Sequence, residues 1–213
     1  DFAFDDLGLT VGSEVRYASG TEDYTAQVTE LKNAGCDVVV IGGVGLVVQQ
    51  FAVKAVQLDF NPEVLTSNVA YNITLATGPG ADWIAEHVIV AVTGTQWDGD
   101  QAVGQPEMVA ALEELEGGDV TPTANAYQTG WINAALTVEI LAKAIESGDM
   151  SRENLLEIAT TQLGEVDDMG MAGGAYNYGS SVADRTPPHL MSFFAVNADV
   201  PAGLELIEYN YDS

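Results

Sequence analysis

Basic side chains are almost missing: six Lys and Arg stand against 32 Asp and Glu in 213 residues, a formal net charge of −26. A surface of that sign repels phosphate backbones and anionic lipid, which argues against nucleic acid and a charged bilayer as partners. Acids in such excess keep a chain soluble, and a salt-adapted or extracellular setting is compatible with them. The single cysteine, Cys36, leaves no internal disulfide to form. It falls between a helix stop and an apolar run with no cation nearby, as expected of a small core residue and not of an activated thiol. The two histidines, His87 and His189, lie far apart without ligand spacing, so no metal is expected. Asp98-Gly99-Asp100 lacks the spacing of a calcium loop and reads as a solvated turn. No Gly-Lys-Ser/Thr phosphate loop and no Gly-x-Ser-x-Gly elbow occurs. There is no leader pattern and no apolar run of membrane-spanning length. Asp1 to Leu7 reads as the last turns of a helix closed by Gly8, so the sequence is expected to begin inside a domain.

The stretch from Asp23 to Val44 says most. Tyr24, Val28 and Leu31 recur at helical spacing, Asp23 is a candidate N-cap, and Gly35 sits where the helix should stop. Val38 to Ile41 is apolar on both faces, as a parallel strand covered on both sides must be. Gly42 and Gly43 follow at its carboxyl end, the edge at which open α/β sheets bind ligands. A strand over Val11–Tyr17 precedes this unit. A helix over 46–58, a strand over 64–66, a polar tip over 67–72, short helices over 73–77 and 81–86 and a strand over 87–92 follow it. This βαβαβ alternation predicts a doubly wound parallel sheet. After Gly94 helices dominate, over 106–115, 124–147 and 151–161, the last with Ser151 as N-cap. Gly164 to Gly179 reads as irregular, and 190–196 with 204–211 as a closing pair of strands around Pro201 and Gly203.

The run Gly20-Thr21-Glu22-Asp23-Tyr24-Thr25-Ala26-Gln27-Val28, continuing through Leu31-Lys32-Asn33-Ala34-Gly35-Cys36-Asp37-Val38-Val39, resembles the second lobe of the substrate-binding proteins of branched-chain-amino-acid-type ABC importers. Ala126-Tyr127-Gln128-Thr129-Gly130-Trp131, Gly148-Asp149-Met150-Ser151-Arg152-Glu153, and Gly173, Tyr176, Tyr178 and Arg185 with Pro187-Pro188 are similar to later segments of that family. The resemblance implies the type I periplasmic-binding fold, with α/β doubly wound parallel sheets in two lobes and the first lobe incomplete here. Residues 1–96 would be the second-lobe ligand-binding domain without its first strand. Residues 97–160 would be a hinge crossing and helices returning to the first lobe, and residues 161–213 a second crossing with C-terminal strands packing on the second lobe. About 100–150 residues of the family's length, on the order of one domain, would lie outside this sequence.

It further implies an extracytoplasmic receptor, in the periplasm or lipid-anchored at the cell surface. Such a receptor closes on a small organic solute, an amino acid, an amide or an aromatic or other organic acid, and delivers it to an ABC permease, without catalysis and without a cofactor. The expected ligand contacts are Gly43, Val44, Asn68, Tyr71 and Trp97, where aromatic area and a few polar groups meet at strand ends; packing at a lobe edge is the alternative for Tyr71 and Trp97. Amino-acid-binding members carry an acid for the ligand ammonium in the loop equivalent to 67–72, and here Asn68 stands there. Since a buried ammonium without a carboxylate is costly, the expected solute is less cationic: an amide, an aromatic acid or another small organic acid. A sensor ectodomain of the same fold is one alternative. A dinucleotide enzyme is another, since Gly43-Val44-Gly45 follows a strand and Asp59 lies downstream, although the third glycine position holds Val48. Asn72-Ile73-Thr74 fits a glycosylation acceptor, a triplet common by chance.

Overall fold

The computed structural model describes residues 7–95, 97, 102–118, 120, 126–186 and 189–212. The stretches 1–6 and 98–100, read above as a helix end and a turn, lie outside the described residues. The chain divides into two compact units, one of residues 1–90 with 195–198 and one of residues 91–194 with 199–213.

In the first unit helix α1 (Thr25–Asn33) leads into strand β1 (Val38–Ile41), helix α2 (Gly45–Gln57) and strand β2 (Glu63–Ser67). A single turn follows at Asn68–Ala70, then helices α3 (Thr74–Thr77) and α4 (Ala81–His87) and strand β3 (Val88–Val92). β1 and β2 are parallel, with Val38 opposite Glu63 and Ile41 opposite Thr66, and β3 lies on the far side of β2. This is the parallel α/β arrangement predicted from the alternation of elements.

Local chemistry sets the element ends. Asp23 acts one residue before the helix boundary, accepting from Thr25 N at 2.9 Å and from the Thr25 hydroxyl at 2.5 Å. Those bonds hold its carboxyl below the usual carboxylate range. Gly35, at φ +70°, closes α1: its N–H donates to Lys32 O, and Cys36 N donates to Leu31 O, the double bond pattern that a left-handed residue makes possible. Asp59, at φ +51°, ends α2 in the same way, with Asp59 N to Val56 O and Phe60 N to Ala55 O. Lys32 Nζ then reaches the carbonyls of Leu58 and Asp59, a cation at a helix C-terminus.

Val28, Val48, Val64, Leu75, Ile84 and Val90 are fully enclosed in this unit's core, with Phe51 packed on Phe60 and Trp83. Three expectations need correction. β1 is covered on one face only: Val39 and Ile41 are buried, while Val38 and Val40 are 61% and 57% exposed. Among the described residues, therefore, no layer lies on its second face. Val11–Tyr17 joins no ladder. Side chains hold it instead, with Ser13 Oγ donating to Glu30, Gln27 Nε2 to Arg16 O and Tyr17 Oη to Gly42 O. His87 closes α4 rather than opening β3, its ring 4.7 Å from that of Trp83.

In the second unit helix α5 (Gly104–Glu116) begins two residues before Pro106, and α6 (Ala126–Ser147) is the longest element. Ser151 Oγ accepts from Asn154 N at 3.2 Å and caps α7 (Arg152–Glu157), which runs on into a wider turn at Ile158–Gln162. The stretch expected to be irregular contains a small antiparallel sheet of β4 (Gly164–Val166), β5 (Tyr176–Tyr178) and β6 (Arg185–Thr186). Arg185 fastens it to the preceding turn by donating to Thr160 O, and donates also to Gly179 O just after β5. β7 (Met191–Val196) and β8 (Leu204–Tyr211) are neighbours in the sheet order, joined through Pro201–Gly203. The chain's division falls within β3 and within β7.

Candidate functional site

Parallel pairing puts the carboxyl ends of β1 and β2 side by side, and the Thr66 hydroxyl ties them by donating to Ile41 O at 2.9 Å. Four of the five predicted residues leave the sheet at this edge: Gly43 and Val44 after β1, Asn68 and Tyr71 after β2. Val44, 56% exposed, precedes α2, whose first residue packs under the neighbouring turn. A Cβ on Gly45 would collide with Asn72 Nδ2 and come within 3.1 Å of Ala70 O. Gly45 is thus the glycine that lets the 68–72 turn close against α2. Asn72 is fixed in turn by accepting from Thr74 N at 3.0 Å and from the Thr74 hydroxyl.

Asn68 opens the single turn, its carbonyl accepting from Tyr71 N at 3.2 Å. Tyr71 is only 5% exposed, and burial pushes its phenol well above the usual tyrosine range. Its ring is thus one of the buried side chains of the chain. Trp97 belongs to the second unit. Its ring stands 5.8 Å from that of Tyr127, and its carbonyl accepts from Gln105 Nε2 at 2.5 Å. Gln105 is buried and also accepts from the Thr95 hydroxyl at 3.0 Å.

Tyr17 escaped sequence reasoning. Its hydroxyl donates to Gly42 O at 2.6 Å, its ring meets Tyr24 edge-on at 5.5 Å, and a Cβ on Gly43 would stand 2.6 Å from its oxygen. An aromatic ring thus lies over the glycine tip although the residue after the glycines is Val44. The only prior signal was an aromatic at the end of the preceding extended segment. A pocket of about 390 Å³ in the first unit, lined by Val56, Gly78, Gly80, Asp82 and Trp83 among others, lies toward the opposite end of α2 and contains none of the predicted residues. Among the described residues no group of three His, Cys, Asp or Glu converges on a metal position, and no helix is long and apolar enough to cross a membrane.

The glycine tip beside a second loop, both at the carboxyl edge of parallel strands, is the architecture of an α/β binding domain. The sequence profile of the family described as periplasmic binding protein matches residues 3–201, and the chain belongs to that family. Its fold is shared with a fatty acid ABC transporter substrate-binding protein from Thermomonospora curvata, at 20% identity and a TM-score of 0.84, over 100% of this chain and 52% of that one. A branched-chain amino acid ABC transporter protein from Thermus thermophilus with bound valine is similar at 17% identity and a TM-score of 0.74, over 100% and 55%. A leucine-binding protein from Thermotoga maritima is similar at 20% identity and a TM-score of 0.71, over 96% and 53%. The chain spans about half the length of these solved relatives. No curated protein matches it by sequence.

Proposed function

We propose that this chain is the C-terminal portion of an extracytoplasmic solute-binding protein of an ABC importer. It would capture a small organic solute and hand it to a membrane permease, without catalysis or a cofactor. The observation that carries this reading is the paired loop edge of β1 and β2, in a chain that matches the periplasmic binding family over residues 3–201. Gly43 and Val44 would offer backbone and apolar contact, Asn68 a polar anchor, Tyr71 the support behind the turn, and Trp97 an aromatic wall. Differential contacts in the closed form would set the choice of solute. In keeping with Asn68 at the position where amino-acid-binding members carry an acid, the solute class is an amide, an aromatic acid or a related organic acid. Solved relatives described as binding fatty acid, valine and leucine show that this fold accommodates different solutes.

A location in the periplasm or at a lipid anchor on the cell surface follows from the same reading. A sensor ectodomain of this fold would use the same loops, and a parent sequence with a transmembrane helix and a cytoplasmic domain would favour it. The dinucleotide enzyme is disfavoured by packing: Gly45 is occupied by the Asn72 amide and Ala70 carbonyl, Val48 is fully buried, and Asp59 serves as a helix C-terminal residue. Calorimetric titration of the full-length parent with isobutyramide, benzoate, valine and NAD tests the proposal. Saturable binding of an organic solute that Asn68→Ala or Trp97→Ala weakens about tenfold supports it, and saturable binding of NAD alone overturns it.

A further inference from the structure

Helix α6 carries its polarity the wrong way round for a surface helix, which turns its apolar stripe inward and its charged residues outward. The charged residues of α6 are Glu139, Lys143 and Glu146. Glu139 and Lys143 are half-buried and pair with each other at 3.6 Å. The bare face is instead apolar. Ala134, Val138, Leu141, Ala142 and Ile145 follow one another along it at helical spacing, with Val138 63%, Leu141 37% and Ile145 67% exposed. Toward the start of the helix the same row continues through Trp131 and Tyr127, which rest on the cluster of Met108, Ile132 and Met171. Single exposed apolar residues are ordinary. A row of three large ones on one face, with no charge in it, marks an interaction surface, and a helix apolar on all sides is a helix covered on all sides.

We infer that the outer face of α6, centred on Val138, Leu141 and Ile145, docks on the segment of the polypeptide that precedes residue 1 in the full-length parent. Two observations choose this occupant. The solved relatives match this chain over 96–100% of its length but over only 52–55% of their own, so each carries on the order of one further domain with no counterpart here. A second copy is the rival occupant, and charge opposes it: each copy bears a net −26, and the contact would bring the two together. The covering surface is itself apolar over about 17 Å, the rise of the helix from Ala134 to Ile145, because a charge facing this row would be buried unpaired. This rests on the reading of the chain as the C-terminal portion of a receptor, and adds which face of the second unit the rest of that receptor holds.

The test uses the full-length parent in a Cys36→Ser background, with one thiol introduced by Val138→Cys or, as the exposed control, by Val182→Cys. Val182 is 81% exposed in a short turn of the same unit. Thiol labelling of the folded protein is timed by mass spectrometry, and light scattering gives the oligomeric state. The expected result is a monomer whose labelling at position 138 is at least about a hundredfold slower than at position 182, because a covered site reacts only when the structure opens. Val138→Gln, which keeps helix propensity and adds no charge, should lower the melting temperature by several degrees or prevent folding, while Val182→Gln should leave it unchanged. Equal labelling rates at the two positions would overturn the inference. So would a dimer that Val138→Gln converts to monomer, which would make a second copy the occupant. A parent that binds an organic solute while position 138 labels freely keeps the receptor reading and loses only the covered face. A protected position 138 in a monomeric parent that binds no organic solute keeps the covered face and loses the receptor.

Discussion

Gly43 and Tyr17 should be energetically coupled. A Cβ on Gly43 would stand 2.6 Å from Tyr17 Oη and 3.3 Å from Val47 Cβ. Gly43 is absent from the positive-φ residues, so alanine meets no backbone strain there and its cost is steric. Tyr17 is 38% exposed, which lets the phenol swing away at the loss of its bond to Gly42 O. A half-exposed neutral hydrogen bond contributes about 0.5–1.5 kcal/mol, so Gly43→Ala should cost about 1 kcal/mol plus a smaller term for Val47. Tyr17→Phe keeps the ring against Tyr24 and removes the oxygen that both makes the bond and meets the new methyl. In the Tyr17→Phe background, Gly43→Ala should therefore cost only the Val47 term. A double-mutant cycle by urea denaturation should show a coupling of about 1 kcal/mol, above the usual additivity error of about 0.3–0.5 kcal/mol. Equal costs in the two backgrounds would refute the placement of Tyr17 over the glycine tip.

Asn68→Glu should strengthen valine binding by the full-length parent by about tenfold or more, since a charge-assisted bond to an ammonium contributes about 1.5–3 kcal/mol; unchanged weak binding in calorimetry would count against the role of Asn68 in solute choice. Asp168 accepts from Gly170 N at 3.1 Å and Ala172 N at 2.8 Å, yet burial pushes its carboxyl above the usual range. Because the folded value is the higher one, the fold favours the protonated form, and wild-type stability falls as pH rises from about 3.8 through the raised value. The stability difference between wild type and Asp168→Asn should therefore be most in favour of wild type at low pH and shrink as pH rises; a difference that grows with pH would mean that the two N–H bonds outweigh burial. With 32 acidic residues against six Lys and Arg, self-repulsion should be strong. The melting temperature should rise by several degrees between 0.1 and 1 M NaCl, as the screening length falls from about 10 to about 3 Å; a flat profile would contradict this.

Most of the first unit was legible because its signals are local. The 3.6-residue period of Val28 and Leu31, the left-handed stop at Gly35 and the apolar run after it fix a helix–turn–strand unit before any tertiary contact forms. The carboxyl-edge loops followed from that order, and with them the neighbourhood of Gly43, Val44 and Asn68. What was not legible depends on partners distant in sequence. The segment 11–17 has a strand's composition, but whether it pairs is decided by its register against β1, and it is held by side-chain bonds instead. β4 and β5 pass through glycine-rich sequence whose strands are two or three residues of pairing each, too short for any period to show. Tyr71 reads as a polar-tip aromatic, yet the single turn at 68–70 rolls it inward. Tyr17 reaches the glycine tip across 25 residues.

The most direct measurement of the central claim is a thermal-shift screen of the full-length parent against amides, amino acids, aromatic acids, sugars and NAD. A ligand that binds only the folded state stabilises it by about 2.7 kcal/mol at a hundred times its Kd, enough for a clear rise in melting temperature. The solute-receptor reading predicts such a rise with one class of small organic solute and none with NAD. A rise with NAD alone, or none across the panel, would contradict it.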